Sequence, residues 1–148
     1  MSAPLFKRLE RAPAGESVAL ADLLEALQFT EDGLIPAIAQ RHDTLEIAMV
    51  GYMNRATLEE TLATGRVCYY SRSRKRVWRK GEESGNIQTL RELRVDCDGD
   101  AILLIVEQTG PACHTGQRTC FYLKVEGDRV TVTDTPERNP EQMYASPK

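Results

Sequence analysis

The chain has 148 residues and a mass of 16.6 kDa, and its 22 acidic and 19 basic residues give a formal net charge of −3 and an isoelectric point near 5.5. A domain of about this size buries roughly 70% of the surface of its unfolded chain, and 41% hydrophobic and 28% charged residues exclude a disordered chain or a fibre. The net charge gives no reason to expect a general nucleic-acid partner, and the longest aliphatic run, residues 102–106, is too short to span a membrane.

The first predicted elements are a short helix and an extended segment. An amphipathic helix is predicted from a Ser17 cap, ending before Gly33. Its apolar stripe consists of Leu20, Leu23, Leu24 and Leu27. Residues 34–40, interrupted by Pro36, are predicted to form an edge strand, because proline removes one donor from the ladder of hydrogen bonds.

A strand and a second helix follow. The alternation within residues 45–50 predicts a strand with little solvent on either face. The second helix has two candidate caps, Asn54 and Thr57, and carries two leucines one turn apart. Gly65 is predicted to end it, because glycine tolerates the left-handed conformation of a helix C-terminus.

The second half of the chain is predicted to consist of strands. These cover residues 67–71, 87–95, 101–108, 119–125 and 129–133. The last two flank Gly127-Asp128, a two-residue hairpin signal. Strands without intervening helices favour an antiparallel sheet or a small barrel. We expect a single domain over residues 1–135 and, because proline and polar residues replace the periodicity, a loose tail over 136–148.

Three aspartates, Asp96, Asp98 and Asp100, stand two positions apart. On an extended chain their carboxylates would project to one side, where mutual repulsion favours a hard divalent cation such as magnesium or calcium. The alternative is a solvated acidic turn. With Glu107 the three also match an EF-hand loop, but Ala101 replaces the glycine of its sharp turn and an apolar strand follows, so we reject that motif.

Four cysteines are too few for a disulfide scaffold, and without an apolar leader we expect a cytoplasmic protein with reduced thiols. Cys97 lies among the aspartates, while Cys113 and Cys120 bracket a loop that also holds His114. Three thiolates favour zinc and leave one position for water, although burial as small hydrophobic residues is the alternative. His114 could bind metal, move a proton near neutral pH, or simply face solvent. Cys68, alone in its strand, is predicted to be a core residue.

A basic segment interrupts this acidic protein. It contains six cations and no acid: Arg72, Arg74, Lys75, Arg76, Arg79 and Lys80. Neighbouring hydroxyls and glycine amides suit phosphate oxygens, and Trp78 could stack on a base or fill the core. A solvated charged loop is one alternative and a nucleic-acid backbone is another. Because the patch is short, we favour a small phosphorylated substrate.

The motifs occur in a specific order along the chain. They are Gly-Tyr-Met-Asn at 51–54, Tyr-Ser-Arg-Ser-Arg at 70–74, Trp-Arg-Lys-Gly-Glu at 78–82, Ser-Gly at 84–85, Asp-Cys-Asp-Gly-Asp at 96–100, Gly-Pro-Ala-Cys-His-Thr-Gly at 110–116 and Cys-Phe-Tyr at 120–122. As an ordered set they resemble the phosphoribosyl-AMP cyclohydrolase family over about residues 33–122.

The resemblance implies a mainly β (α+β) fold, a small pseudo-barrel of short, largely antiparallel strands with a capping helix, interlocked with a twin as a homodimer. It implies hydrolysis of phosphoribosyl-AMP, a small phosphorylated nucleotide, at the bond between N1 and C6 of the purine ring. Zinc-activated water would carry out this third step of histidine biosynthesis. Neither nucleic acid nor membrane would be a partner.

The resemblance also assigns roles to residues. It implies that Cys97, Cys113 and Cys120 hold zinc, with ligands from both chains of the dimer. The same analogy gives magnesium to the three aspartates and makes His114 the residue that stabilises charge or moves a proton. The expected substrate-binding residues are Ser71, Arg72, Ser73, Arg74, Trp78, Lys80, Ser84 and Gly85. A second hypothesis is a zinc-stabilised module that binds nucleotides or RNA without chemistry, and it predicts no turnover.

Overall fold

The computed structural model of the protein describes residues 3–144, which contain four helices and eight strands. In chain order these are α1 (Pro4–Leu9), α2 (Leu20–Ala26), β1 (Ile35–Arg41), β2 (Ile47–Met53), α3 (Arg55–Thr64), β3 (Cys68–Ser71), β4 (Arg76–Arg79), β5 (Gln88–Val95), β6 (Ile102–Gln108), β7 (Leu123–Glu126), β8 (Arg129–Val132) and α4 (Pro140–Met143). Strands hold 32% of the residues and helices 19%, so the mainly β prediction is confirmed. None of the helices in this range has the length and apolar character that crossing a membrane requires.

The central layer is a four-stranded sheet in the order β2-β1-β6-β5. Its two outer pairs are antiparallel, and β1 and β6 run parallel. Two separate antiparallel hairpins, β3–β4 and β7–β8, lie outside it. The expected pseudo-barrel is wrong: the sheet is open, because four strands are too few to close on themselves and neither hairpin joins its edges.

The prediction that residues 34–40 form an edge strand is also wrong, because β1 lies at the centre of the sheet. Pro36 pairs with Tyr52 of β2, whereas the parallel ladder to β6 begins only at Ala37. The missing amide proton of Pro36 therefore lies ahead of the ladder that makes β1 a central strand.

Helix α3 has the ends that its sequence predicts. The Asn54 side chain accepts a hydrogen bond from the Thr57 amide at 2.8 Å, and the Asn54 amide donates to the Thr57 hydroxyl at 3.0 Å. This reciprocal pair satisfies two of the free donors of the first turn. Gly65 ends the helix with a φ of 75°. The helix packs against β2 and β3.

The core fills the space between the sheet and the helices. Leu24 and Leu27 of the predicted stripe are buried there, and Leu20 stays 53% exposed. Helix α2 begins after Ala19, which provides no side-chain cap, so the predicted Ser17 start is wrong. The other members include Ile35, Ala37, Ala39, Leu58, Tyr69, Ile102, Leu104 and Val106.

Four further elements differ from the prediction. Helices α1 and α4 and strand β4 were not predicted, and the strand expected over 119–125 begins only at Leu123. It begins late because Thr119 and Cys120 bond to the β2 backbone instead. The Gly127-Asp128 hairpin turn is confirmed, since Glu126 pairs with Arg129 across it.

A loose tail was expected over residues 136–148, of which the structure describes 136–144. The Glu137 amide donates to the Gly116 carbonyl at 2.8 Å, and Met143 is buried at 4% exposure. The Arg138 guanidinium donates to the Asn86 side-chain oxygen at 2.9 Å. These contacts hold the described part of the segment against the loops before β5 and after β6.

Candidate functional site

The three aspartates converge in the turn between β5 and β6. Each offers an oxygen within 4.8 Å of the others. The expected extended geometry is wrong, because the chain turns here and Gly99 adopts a φ of 77°. The turn is held by Asp96, whose Oδ1 accepts hydrogen bonds from the amides of Asp100 at 3.0 Å and Ala101 at 3.2 Å.

The close carboxylates change one another's pKa. Hydrogen bonds with Asp98 and Asp96, together with their negative charges, raise the pKa of Asp100 to about 6. Burial acts to raise the pKa of Asp96, but hydrogen bonds from the Asp100 side chain and from two backbone amides outweigh it and lower that pKa. Three oxygen donors that repel one another in this way fit a hard divalent cation, which would relieve the repulsion.

The loop between β6 and β7 holds Cys113 and His114. The Cys113 amide donates to the Gln117 carbonyl at 3.1 Å, and the Gly116 amide donates to the Cys113 carbonyl at 3.0 Å, which folds the loop back on itself. Cys113 is buried, and its sulfur accepts a hydrogen bond from the Thr115 hydroxyl at 3.1 Å. His114 is exposed, with Nδ1 4.0 Å from that sulfur.

Cys120 is the second thiol at this place. Its amide donates to the Ala48 carbonyl of β2 at 2.8 Å, which fixes the backbone beside the sheet. Although part of the residue is exposed, burial of the thiol raises its pKa to about 12, helped by the charge of Cys113 and a hydrogen bond with it. Two of the three predicted zinc ligands are therefore neighbours in one chain.

The third predicted ligand, Cys97, is exposed on the aspartate turn. Among residues 3–144 the aspartates form the single group of three or more candidate metal ligands, so Cys97 does not join Cys113 and Cys120 within one chain. Cys68 is a core residue as predicted, and burial raises the pKa of its thiol to about 12.

Lys80 differs from the other cations of the basic segment because it is buried. It is 6% exposed, and its ammonium lies 5.7 Å from the centre of the Trp78 ring. Burial lowers the pKa of Lys80, while the charges of Cys120 and Cys113 act to raise it. Lys80 is thus a buried cation near the two thiols, whereas the arginines of the segment are exposed.

Most of the basic segment forms the β3–β4 hairpin, with residues 72–75 as its exposed turn. The Ser71 hydroxyl accepts a hydrogen bond from the Arg74 amide at 3.3 Å and lies 3.5 Å from the Ser73 hydroxyl. The Arg72 guanidinium lies 4.0 Å above the Tyr52 ring. Serine hydroxyls and exposed cations are thereby gathered at one hairpin tip.

Other residues of this segment have structural partners. Arg79 forms a two-bond ion pair with Glu60, at 2.8 and 3.0 Å. Trp78 packs against Tyr69 with ring centres 5.5 Å apart and stays 39% exposed. Farther on, Ser84 accepts a hydrogen bond from the Asn86 amide at 3.1 Å, and Gly85 turns the chain with a φ of 81°.

Sequence reasoning missed the burial of three polar side chains, those of Tyr69, Gln88 and Arg41. The Tyr69 hydroxyl donates to the side chain of Gln88 at 2.7 Å, and both residues are fully buried. Arg41 is 5% exposed at the end of β1. The burial of Arg41 could have been predicted from its position, because it continues the alternation of the buried residues Ile35, Ala37 and Ala39 along β1.

Comparisons with known proteins identify the family of this chain. The family model for phosphoribosyl-AMP cyclohydrolase matches residues 49–122. A phosphoribosyl-AMP cyclohydrolase from Alcanivorax borkumensis is 54% identical over 95% of this chain and 99% of its own length. Another, from Alkalilimnicola ehrlichii, is 58% identical with the same coverage. The chain belongs to the phosphoribosyl-AMP cyclohydrolase family.

Proposed function

We propose that this protein is a cytoplasmic enzyme that hydrolyses phosphoribosyl-AMP as the third step of histidine biosynthesis. Water adds to C6 of the adenine ring, the bond from C6 to N1 breaks, and the product is the ring-opened formimino-carboxamide ribonucleotide. Family membership supports a hydrolase of this type. The observation that carries the proposal is the placement of the buried Cys113 beside the exposed His114, in the loop that leads to Cys120.

The two neighbouring thiols fit a zinc ion that takes its third sulfur from Cys97 of a second copy of the chain. Cys97 is exposed, so a partner can reach it. Zinc bound by three thiolates keeps a position for water and supplies the Lewis acid that makes water a nucleophile at neutral pH. The buried ammonium of Lys80 lies beside the thiols and offsets part of their negative charge.

A homodimer is supported by the β7–β8 hairpin. Its apolar side chains Leu123, Val125, Val130 and Val132 are 60–73% exposed. A hairpin of two strands is marginally stable by itself, so this one needs a surface to pack against.

We expect Val130→Glu to weaken the dimer, measured by sedimentation, and to lower zinc content with it. A fully dimeric variant would contradict this arrangement.

The substrate is held by two groups of phosphate-binding residues. The exposed cations of the β3–β4 hairpin, Arg72 and Arg74, and the hydroxyls of Ser71 and Ser73 bind phosphate oxygens. A magnesium ion on the three aspartates gives a second phosphate site. Trp78 offers a ring face for packing against the substrate.

His114 is the proton-transfer residue of this proposal. Its exposure beside Cys113 allows the imidazole to reach a substrate held at the thiols. A neutral imidazole accepts the proton of the attacking water, and the imidazolium then donates a proton to the departing ring nitrogen. The thiols themselves take no part in proton transfer.

The direct test is to incubate the purified protein with phosphoribosyl-AMP, zinc and magnesium and to follow ultraviolet absorbance. Ring opening supports the proposal, and its absence refutes it. If the protein instead binds oligonucleotides tightly, with an affinity that falls steeply with salt and without turnover, the non-catalytic binding module is the correct interpretation.

A further inference from the structure

Arg41 is a buried cation that the proposed chemistry does not use. It ends the central strand β1 and is 5% exposed. Burying a guanidinium without partners would be costly, so a charge at this place must be compensated by specific contacts. The contacts of Arg41 therefore indicate its role.

Those contacts lead to the loop of the candidate site. The Arg41 Nη2 atom donates to the carbonyl oxygen of Gly110 at 3.2 Å and to that of Arg118 at 2.9 Å. Gly110 and Arg118 stand at the two ends of the stretch that carries Cys113 and His114. A single side-chain group thus connects both ends of this loop to the central sheet.

Acidic residues balance the charge. The Arg41 Nε atom lies 3.6 Å from Oε1 of Glu46, and the same oxygen accepts a hydrogen bond from Arg118 Nε at 2.6 Å. Arg118 Nη1 in turn lies 3.5 Å from Glu137. Within the described residues the buried Arg41 Nε makes no hydrogen bond, so the two carbonyls are the hydrogen-bond partners of this guanidinium.

We propose that Arg41 is a positioning residue, which fixes Cys113 and His114 relative to Cys120 by hydrogen bonding to both ends of their loop. Cys120 is already fixed to β2 through its amide. Loss of the Arg41 bonds leaves the loop free to open while the sheet stays intact. The effect on catalysis rests on the proposed function, whereas the effect on the loop does not.

Two substitutions separate the hydrogen bonds from the charge. Arg41→Met keeps a long side chain and removes the donors, whereas Arg41→Lys keeps the charge on a side chain one bond shorter. The control is Arg91→Lys, in an exposed ion pair with Glu107 on the same sheet. Hydrogen exchange is followed at the Cys113 and Gly116 amides, which bond within the loop, and at the amides of β6.

We expect exchange at the two loop amides to become about 10- to 100-fold faster in Arg41→Met, since each lost bond involves a charged donor. Arg41→Lys should fall between this variant and the wild type, and the control should match the wild type. The amides of β6 should change much less than the loop. Equal acceleration of loop and β6 amides would show that Arg41 stabilises the whole fold, and the proposal would be wrong.

The kinetic measurement tests the consequence for catalysis. Displacement of His114 and Cys113 should lower kcat of Arg41→Met about 10- to 100-fold, with KM nearly unchanged because the phosphate-binding hairpin is a separate element. A rise in KM at constant kcat would contradict the positioning role. A wild-type protein without cyclohydrolase activity would refute the proposed function, and the exchange data would still decide whether Arg41 holds the loop.

Discussion

Replacing Gly99 by alanine should destabilise the fold at the aspartate turn. Gly99 has a φ of +77°, and an added Cβ would lie within 3.0 Å of three ring atoms of the buried Phe6. The left-handed backbone costs a non-glycine residue about 1–2 kcal/mol. Moving the packed ring adds about 1–3 kcal/mol of overpacking. We therefore expect Gly99→Ala to lower the free energy of unfolding by about 2–5 kcal/mol.

Gly33 provides a matched control, because its φ is +76° and an added Cβ would meet nothing within 4 Å. Gly33→Ala should pay the backbone cost alone, about 1–2 kcal/mol. Both variants are unfolded in urea at one fixed protein concentration, since the proposed dimer would make stability depend on concentration. In a Phe6→Leu background the penalty of Gly99→Ala should fall toward that of Gly33→Ala. Equal penalties for the two alanines in the wild-type background would refute the packing argument.

Three further predictions concern the site. In the metal-free protein Asp100 should titrate near its pKa of about 6, raised by Asp98 and Asp96 from 3.8. Asp100 should therefore make its full contribution to the free energy of unfolding below about pH 4, and this contribution should be lost as the pH rises through 6. Urea unfolding of Asp100→Asn should show no such pH dependence. Cys113→Ser should lose both zinc and activity, whereas His114→Ala should keep its zinc and react more slowly. Metal analysis and rate measurements on both variants test this, and equal loss of zinc from the two would contradict the assigned roles. Tyr69→Phe leaves the buried side-chain oxygen of Gln88 without its donor and should lower the free energy of unfolding in urea by about 1–3 kcal/mol. An unchanged urea midpoint would contradict this prediction.

Local signals in the sequence predicted local structure well. Helix α3 was predicted because Asn54, Thr57 and Gly65 act within a few residues of one another. The position of β1 in the sheet could not be read in the same way, because strand order depends on pairing with residues far along the chain. Pro36 indicated an edge strand, yet the ladder to β6 begins only after it.

In the candidate site too, local patterns could be predicted from the sequence, whereas contacts between distant residues could not. Spacing predicted that the three aspartates meet, but the cause is a turn and not an extended strand. The loop sequence brought Cys113 and Cys120 to attention, and the structure places them together. A ligand supplied by a second copy, as we propose for Cys97, leaves no trace in the periodicity of one chain. The role of Arg41 depends on carbonyl groups, which every residue has and no motif marks.

The parallel pairing of β1 with β6 constrains the order in which the polypeptide assembles during synthesis. Residues 37–41 must wait for residues 102–106 before the centre of the sheet can form. Contacts so distant along the chain slow folding, whereas α3 and the β3–β4 hairpin involve near neighbours and can form while the ribosome is still translating. Until β6 emerges, the hydrogen-bonding edge of β1 on that side stays unpaired, and this interval is when the nascent protein is most exposed to aggregation.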